Sequence, residues 1–220
     1  EAVARYDGDL SEMTQAERTA VAAVVDLAGE MAEHLLTTAD VVAELDRVLG
    51  AIADTPSTGR GALPPGLKSM VTALTNRRAL LPIVDRFAAL KRSRDALDFT
   101  DQIASAAALA ARHPDIGAAQ RRRYRVVLLD EFQDTSEAQL VLLRDLFVDH
   151  DDAVPVTAVG DPHQSIYGWR GASATTLARF PQEFRAGPQP VPVVPLSTSW
   201  RNDRVILAIA NSLSDPLRAD

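Results

Sequence analysis

The sequence predicts an α/β protein in which a long helical region precedes part of a parallel-sheet domain. Three observations carry this. Apolar residues recur at helical spacing up to about Arg123. Two short apolar runs follow, Arg125 to Leu129 and Pro155 to Val159, of the kind that forms buried parallel strands. The stretch between them, Glu137 to Val148, returns to helical period, so strand, helix and strand make one α/β unit.

Each element has its own signal. Val21, Val24, Val25, Ala28 and Leu35, then Val41, Val42, Leu45, Val48 and Leu49, read as two helices between residues 11 and 53. The break falls near Thr37-Thr38-Ala39-Asp40, where Thr and Asp can cap the second helix. Asp54 to Leu67 concentrates proline, glycine, serine and threonine and is a loop by composition. Helical period resumes from Lys68 to about Arg94, with Pro82 expected to kink or end it because it lacks a backbone donor. Another helix, about Phe99 to Arg112, precedes His113-Pro114. A third short apolar run, Val191 to Leu196, and a helix from about Asp203 to Leu213 close the sequence, which has no internal repeat.

Composition narrows the class. With 46% hydrophobic and 24% charged residues the chain is ordinary globular protein rather than disordered. It has no cysteine, which excludes a disulfide framework and a cysteine-based zinc site and points to an intracellular origin, and its four histidines are scattered. The first residues have neither an initiator Met nor a signal-peptide layout, and no apolar run approaches the roughly 18 residues of a membrane span. The sequence is therefore expected to come from something longer, with no membrane partner. A net charge of -7 argues against coating nucleic acid by charge alone, while a narrow tract held by stacking remains compatible.

Three stretches carry chemistry. In Val-Val-Leu-Leu-Asp130-Glu131-Phe132-Gln133-Asp134-Thr135 a strand delivers two adjacent carboxylates at its tip, one suited to a metal and one to a water molecule, as nucleotide hydrolysis requires. The plain alternative is that these acids cap the next helix. Next, Val159 to Ala172 ends a strand in Gly160-Asp161 and then carries Gln164, Tyr167 and Trp169. In extended backbone the two rings share a face and offer a platform for bases, unless both simply fill a core. Third, Trp200-Arg201-Asn202 precedes the last helix; an aromatic followed by Arg can hold a purine and a phosphate.

In order and spacing these stretches resemble the UvrD/Rep/PcrA helicases of superfamily 1, over about Asp98 to Leu213. Asp130 to Thr135 looks like helicase motif II, Gly160 to Ala172 like motif III and Trp200-Arg201-Asn202 like motif IV, and Ala96 to Gln102 is similar to the Asp-Phe segment before motif II. The wording from Thr157 to Pro162 and from Gln164 to Trp169 looks most like the actinobacterial RecB-like branch that includes AdnB.

The resemblance implies a helical 1B-like subdomain at 1–123, the C-terminal half of a RecA-like domain 1A at 124–190, and the start of domain 2A at 191–220. It implies ATP and Mg2+, with Asp130 holding the ion, Glu131 activating the attacking water, and Gln164 and Arg201 at the γ-phosphate. Trp200, where the family usually has Tyr, would stack on adenine, and Gln133 would also contact the nucleotide. Tyr167 and Trp169 would touch single-stranded DNA or a single-strand/duplex junction, with Lys91 and Arg92 as backbone contacts. Arg170 would pair with the motif II acids. Of the basic clusters, Arg77-Arg78, Lys91-Arg92 with Arg94, and Arg121-Arg122-Arg123, each also reads as a solvated helix face or end. For the AdnB-like branch a second helicase-nuclease subunit is implied, and for the whole family a cytoplasmic, nucleoid-associated setting.

No phosphate loop occurs in these 220 residues. The nearest approach, Gly61 to Ser69, has an extra Leu, two prolines and no strand before it, so its amides and Lys68 could not meet the same phosphates. These residues alone are therefore expected to be inactive, and their parent to be a 3′-to-5′ translocase in DNA repair or recombination. Two other readings stay open: a non-catalytic DNA-binding or scaffolding relative, and an unrelated P-loop ATPase such as a transporter or clamp-loader subunit, which needs no paired aromatics after the second strand.

Overall fold

The computed structural model describes residue 2 and residues 17–55, 63–149, 152–168, 172, 174–185 and 187–218. Helix α1 covers Glu17–Glu33 and α2 covers Thr38–Ala53. Thr37 opens α2 with a capping box: its hydroxyl accepts from the Asp40 amide, and the Asp40 carboxylate accepts from the Thr37 amide at 2.8 Å. Each bond satisfies a donor that a helix start otherwise leaves unpaired.

Helix α3, Pro65–Ser93, runs through Pro82 rather than ending there. Pro82 is exposed, so the carbonyl one turn back that loses its partner lies on a solvated face, while Leu80, Leu81, Ile83 and Val84 beside it are buried. Those side chains gain about 1.5–3 kcal/mol each, which outweighs the roughly 3 kcal/mol that an interior proline costs. With Val24, Leu27, Met31 and Leu45 they form a helical core shared by α1, α2 and α3.

Helix α4, Phe99–Arg112, starts on a second capping box, Asp98 with Asp101. Helix α5, Pro114–Arg123, follows directly, with Pro114 where a missing donor costs nothing. At Gly117 a Cβ would lie 2.7 Å from the Asp145 carbonyl oxygen, so glycine permits close approach of α5 to α6, Glu137–Phe147. Arg121, 8% exposed, donates to the Leu146 carbonyl and pairs with Asp149 at 2.7 Å. Both α4 and α5 pack on α6, and α1 also meets α4.

Strands β1, Val127–Leu129, and β2, Val156–Ala158, are parallel, with Leu128 opposite Thr157 and α6 as the crossover. Leu129, Val156 and Ala158 face a second core built on Phe132, Leu140, Phe180 and Phe184, the last two from α7 (Ala174–Glu183) and its end. The other sheet face is open: Leu128 is 76% exposed, so a strand expected to be buried is covered on one side only. The run Val191 to Leu196 forms no strand, and Val193, Val194 and Leu196 are exposed; α8, Arg204–Arg218, follows it. No helix among the described residues is long and apolar enough to cross a membrane.

Candidate active site

The chain changes direction sharply where β1 ends. Glu131 adopts φ 49°, ψ 40°, a left-handed conformation that a residue with a Cβ rarely enters. The turn sends Asp130 and Glu131 into solvent and Phe132 into the core. Phe132 meets Phe180 edge-on with centroids 5.1 Å apart and Phe184 at 5.9 Å, while Phe180 and Phe184 stack at 4.5 Å. Burying that ring, worth about 1.5–3 kcal/mol, offsets the roughly 1–3 kcal/mol of backbone strain beside it. After the short turn Phe132–Asp134, Ser136 caps α6 through a box with Gln139.

The end of β2 lies against this turn. The Phe132 amide donates to the Val159 carbonyl at 2.9 Å, and the Val159 amide to the Leu129 carbonyl at 2.8 Å. Asp161 then caps the turn Pro162–Gln164, accepting from the His163 amide at 2.9 Å and from the Gln164 side chain at 2.9 Å. Gln133, 1% exposed, joins the two strand ends. Its Nε2 donates to Glu131 Oε2 at 2.7 Å, its Oε1 accepts from the Asp161 amide at 3.1 Å, and its carbonyl accepts from Ser165 Oγ at 3.2 Å. Further along, Ser136 forms an antiparallel bridge with Ala172.

Each strand-end carboxylate is held by one oxygen. Asp130 Oδ1 accepts from the Glu131 amide at 3.0 Å, and Glu131 Oε2 from Gln133. Among the described residues neither has a cationic partner, which leaves one oxygen of each for a ligand. No group of three His, Cys, Asp or Glu that could hold a metal occurs among the described residues. The donor set fits Mg2+ bound through a carboxylate, with phosphate oxygens and waters completing the shell, rather than an all-protein cage.

Asp130, Glu131, Gln133 and Gln164 therefore share one group, with Gln164 exposed at its edge. Gln133, expected to touch nucleotide, is instead buried with its amide engaged at both ends. Tyr167 is 37% exposed and its carbonyl accepts from the Ala172 amide. Trp169 and Arg170, expected at the DNA and at the motif II acids, lie outside the described residues, as do Gly61 and Ala62 of the rejected loop. Trp200 is 93% exposed and Arg201 is exposed too; among the described residues no hydrogen bond or ion pair joins them to the carboxylate group.

Lys91 is tied to acids of the next helix start. Its ammonium pairs with Asp98 at 2.9 Å and Asp101 at 2.6 Å and lies 4.8 Å from the centre of the Phe87 ring. Burial by itself lowers the Lys91 pKa, but hydrogen bonds and charge from Asp101 and Asp98 outweigh it and hold it above the ordinary lysine value. Burial likewise raises Asp98, and the Lys91 bond with the capping bonds brings it below the usual carboxylate value. Arg92 beside it is exposed. Sequence reasoning also missed the Arg179 network: Arg179 pairs with Glu137 at 2.6 Å and Glu183 at 2.7 Å, and Arg144 reaches Glu183 at 3.2 Å, tying α7 to the first and last turns of α6. The i,i+4 spacing of Arg179 and Glu183 was its visible signal.

Comparison with known proteins agrees with this geometry. Residues 53–185 match the family model described as the UvrD/REP helicase N-terminal domain. The chain is 36% identical over 140 residues to a Mycobacterium tuberculosis protein named ATP-dependent DNA helicase UvrD1, covering 62% of this chain and 18% of that protein. It is 31% identical over 154 residues to the DNA helicase II of Rickettsia typhi, covering 70% of this chain and 22% of the relative. With the Escherichia coli K12 DNA helicase II it shares 36% identity over 117 residues, 53% of this chain and 15% of that one. The chain thus spans about a fifth of the length of these relatives. A match that takes in both strand ends, the carboxylate turn and α6 places the chain in the UvrD/REP helicase family, as part of its N-terminal domain.

Proposed function

We propose that these residues belong to an ATP-dependent DNA helicase that couples ATP hydrolysis to 3′-to-5′ movement on single-stranded DNA in repair or recombination. The observation that carries the reading is the presentation of Asp130 and Glu131 at the C-terminal end of β1, against the Asp161–Gln164 turn at the end of β2. Open α/β sheets bind ligands at that edge. Magnesium-bound ATP would supply the phosphoanhydride bond to be cleaved. Asp130 would hold the ion through its untied oxygen, and Glu131 would take the proton of the attacking water on the oxygen that Gln133 leaves open. Gln164, held on Asp161, would approach the γ-phosphate, with Arg201 adding positive charge and Trp200 a stacking face. Tyr167 and Trp169 would meet the DNA bases, with Arg92 the better candidate of the Lys91-Arg92 pair for its backbone.

In domain terms, residues 1–123 correspond to the 1B-like region, 124–190 to the second half of domain 1A and 191–220 to the start of 2A. The packing of α4 and α5 on α6 supports moving the first boundary to the α3–α4 turn, where Lys91 fastens one helix to the next. The open face at Leu128 suits further strands of a longer protein. Without a phosphate loop the 220 residues alone would not turn over ATP. Placement in the AdnB branch, with a helicase-nuclease partner, rests only on the wording around Thr157–Pro162 and Gln164–Trp169, and the setting would be the cytoplasm at the nucleoid. The test is DNA-stimulated ATP hydrolysis by the full-length protein beside its Glu131→Gln variant. A loss of at least ~100-fold in kcat is expected on removing the base, and equal rates would refute the assignment.

A further inference from the structure

Gln133 lies two residues beyond the left-handed Glu131 yet is buried where Glu131 is exposed. It is 1% exposed, and its Nε2, Oε1 and backbone carbonyl each bond a residue that follows one of the two strands. The neighbouring chain is shaped to it: a Cβ on Gly160 would fall 2.5 Å from Gln133 Oε1 and 3.2 Å from its backbone nitrogen. The glutamine amide donates to the Glu131 carboxylate through its nitrogen and accepts from the Asp161 amide through its oxygen. A carboxylate repels the first, an ammonium cannot accept from the second, and a thioether serves both poorly. A nucleotide contact would have to break one of these buried bonds, leaving a polar group unsatisfied.

We propose that Gln133 is a positioning residue: its buried amide orients the Glu131 carboxylate and ties it to the Gly160–Ser165 turn, so that displacement at Tyr167, two residues past Ser165, reaches the water-activating group. The inference rests on the reading of Glu131 as the hydrolytic base. Three contacts carry the coupling. Asp161, bonded to Gln133 through its amide, also holds Gln164, while Ser165 holds the Gln133 carbonyl. Movement of one turn therefore changes both the base and its neighbouring amide.

The experiment uses the full-length protein with Gln133→Met, Gln133→Glu, Gly160→Ala and the milder Ser165→Ala. Steady-state ATP hydrolysis is measured with and without saturating oligothymidylate, and amide hydrogen exchange at Asp161 is measured without nucleotide. Gln133→Met and Gly160→Ala are expected to lower kcat about 10- to 100-fold, the usual effect of losing an orienting partner. In both, KM for ATP stays within about twofold, the ratio of DNA-stimulated to basal rate falls toward one, and exchange at Asp161 rises about tenfold or more, as follows from losing its acceptor. Gln133→Glu keeps that acceptor, so it is expected to lose hydrolysis while retaining the protected Asp161 amide. Ser165→Ala is expected to reduce stimulation with little effect on the basal rate. A raised KM for ATP with intact kcat and stimulation would make Gln133 a nucleotide contact and overturn the proposal, as would unchanged exchange in Gln133→Met and Gly160→Ala. If the unaltered protein shows no DNA-stimulated hydrolysis, the functional reading fails and this inference with it, while the exchange result separately reports whether the bridge exists.

Discussion

Replacing Phe132 by Ala tests how the carboxylate turn is held in place. The ring is 1% exposed and edge-on to two other phenylalanines, at 5.1 and 5.9 Å. Truncating a buried Phe costs about 3–5 kcal/mol through lost transfer free energy and the cavity left behind. The two ring pairs place Phe132→Ala at the upper part of that range, since each adds about 0.5–1.5 kcal/mol beyond area burial. Phe132→Leu keeps most of the volume and should cost about 1.5 kcal/mol or less. The assay is urea denaturation of the chain followed by far-UV circular dichroism, with a double-mutant cycle combining Phe132→Leu and Phe180→Leu. Coupling of about 0.5–1.5 kcal/mol is expected for the pair. A loss below about 1 kcal/mol for Phe132→Ala, against the range for core truncations, together with no coupling, would refute the claim that this ring anchors the turn. In the full-length protein the loss of anchorage should reduce hydrolysis even where the variant remains folded, because strain at Glu131 is then free to relax.

Glu131→Gly and Glu131→Ala both remove the acceptor of the buried Gln133 amide, but only glycine enters the left-handed region without the Cβ penalty, so the glycine variant should be the more stable of the two by about 1 kcal/mol, and both should abolish hydrolysis in the full-length protein; equal midpoints for the two would count against strain at this position. Arg179→Met should flatten the acid side of the stability profile. Arg179 first, and Arg144 after an opposing effect of burial, hold Glu183 below the ordinary glutamate value of 4.5, so the contribution is present above that pH and is lost as pH falls through the lower folded-state value. Both side chains are partly exposed, so the effect at neutral pH should be about 1 kcal/mol or less after solvent screening. Melts of the two proteins at pH 7 and pH 3 should therefore differ more at the higher pH; an equal gap at both would show that the pair does not titrate with folding.

Much of the architecture is legible because local chemistry and tertiary burial agree. The α2 and α4 starts follow from Thr37 with Asp40 and Asp98 with Asp101, whose partners lie three residues away. The strand ends follow from apolar runs closed by acids, and two adjacent carboxylates at such a tip suggest hydrolysis through their placement alone. Legibility fails where a distant contact overrides the local signal. Pro82 would break an isolated helix, but the buried residues around it keep α3 continuous. Helix α5 shows almost no apolar stripe because its buried members are Gly117 and Arg121, chosen by contacts with Asp145, Leu146 and Asp149 on and just beyond α6.

Gln133 shows the same limit within the site. Its neighbours in sequence are acids that suggest nucleotide chemistry, whereas the Asp161 amide that it accepts from is 28 residues away, beyond the end of the other strand. A polar residue after two adjacent acids can therefore serve a ligand or the acids, and burial distinguishes these roles. Here burial favours the acids. A carboxylate that must accept a proton while exposed gains accuracy from one fixed oxygen, and the cost of fixing it is smallest when the donor is already immobilised in the core. Phe132 and Gln133 divide that task between them: the ring fixes the backbone of the turn, and the amide fixes the direction of the side chain that leaves it.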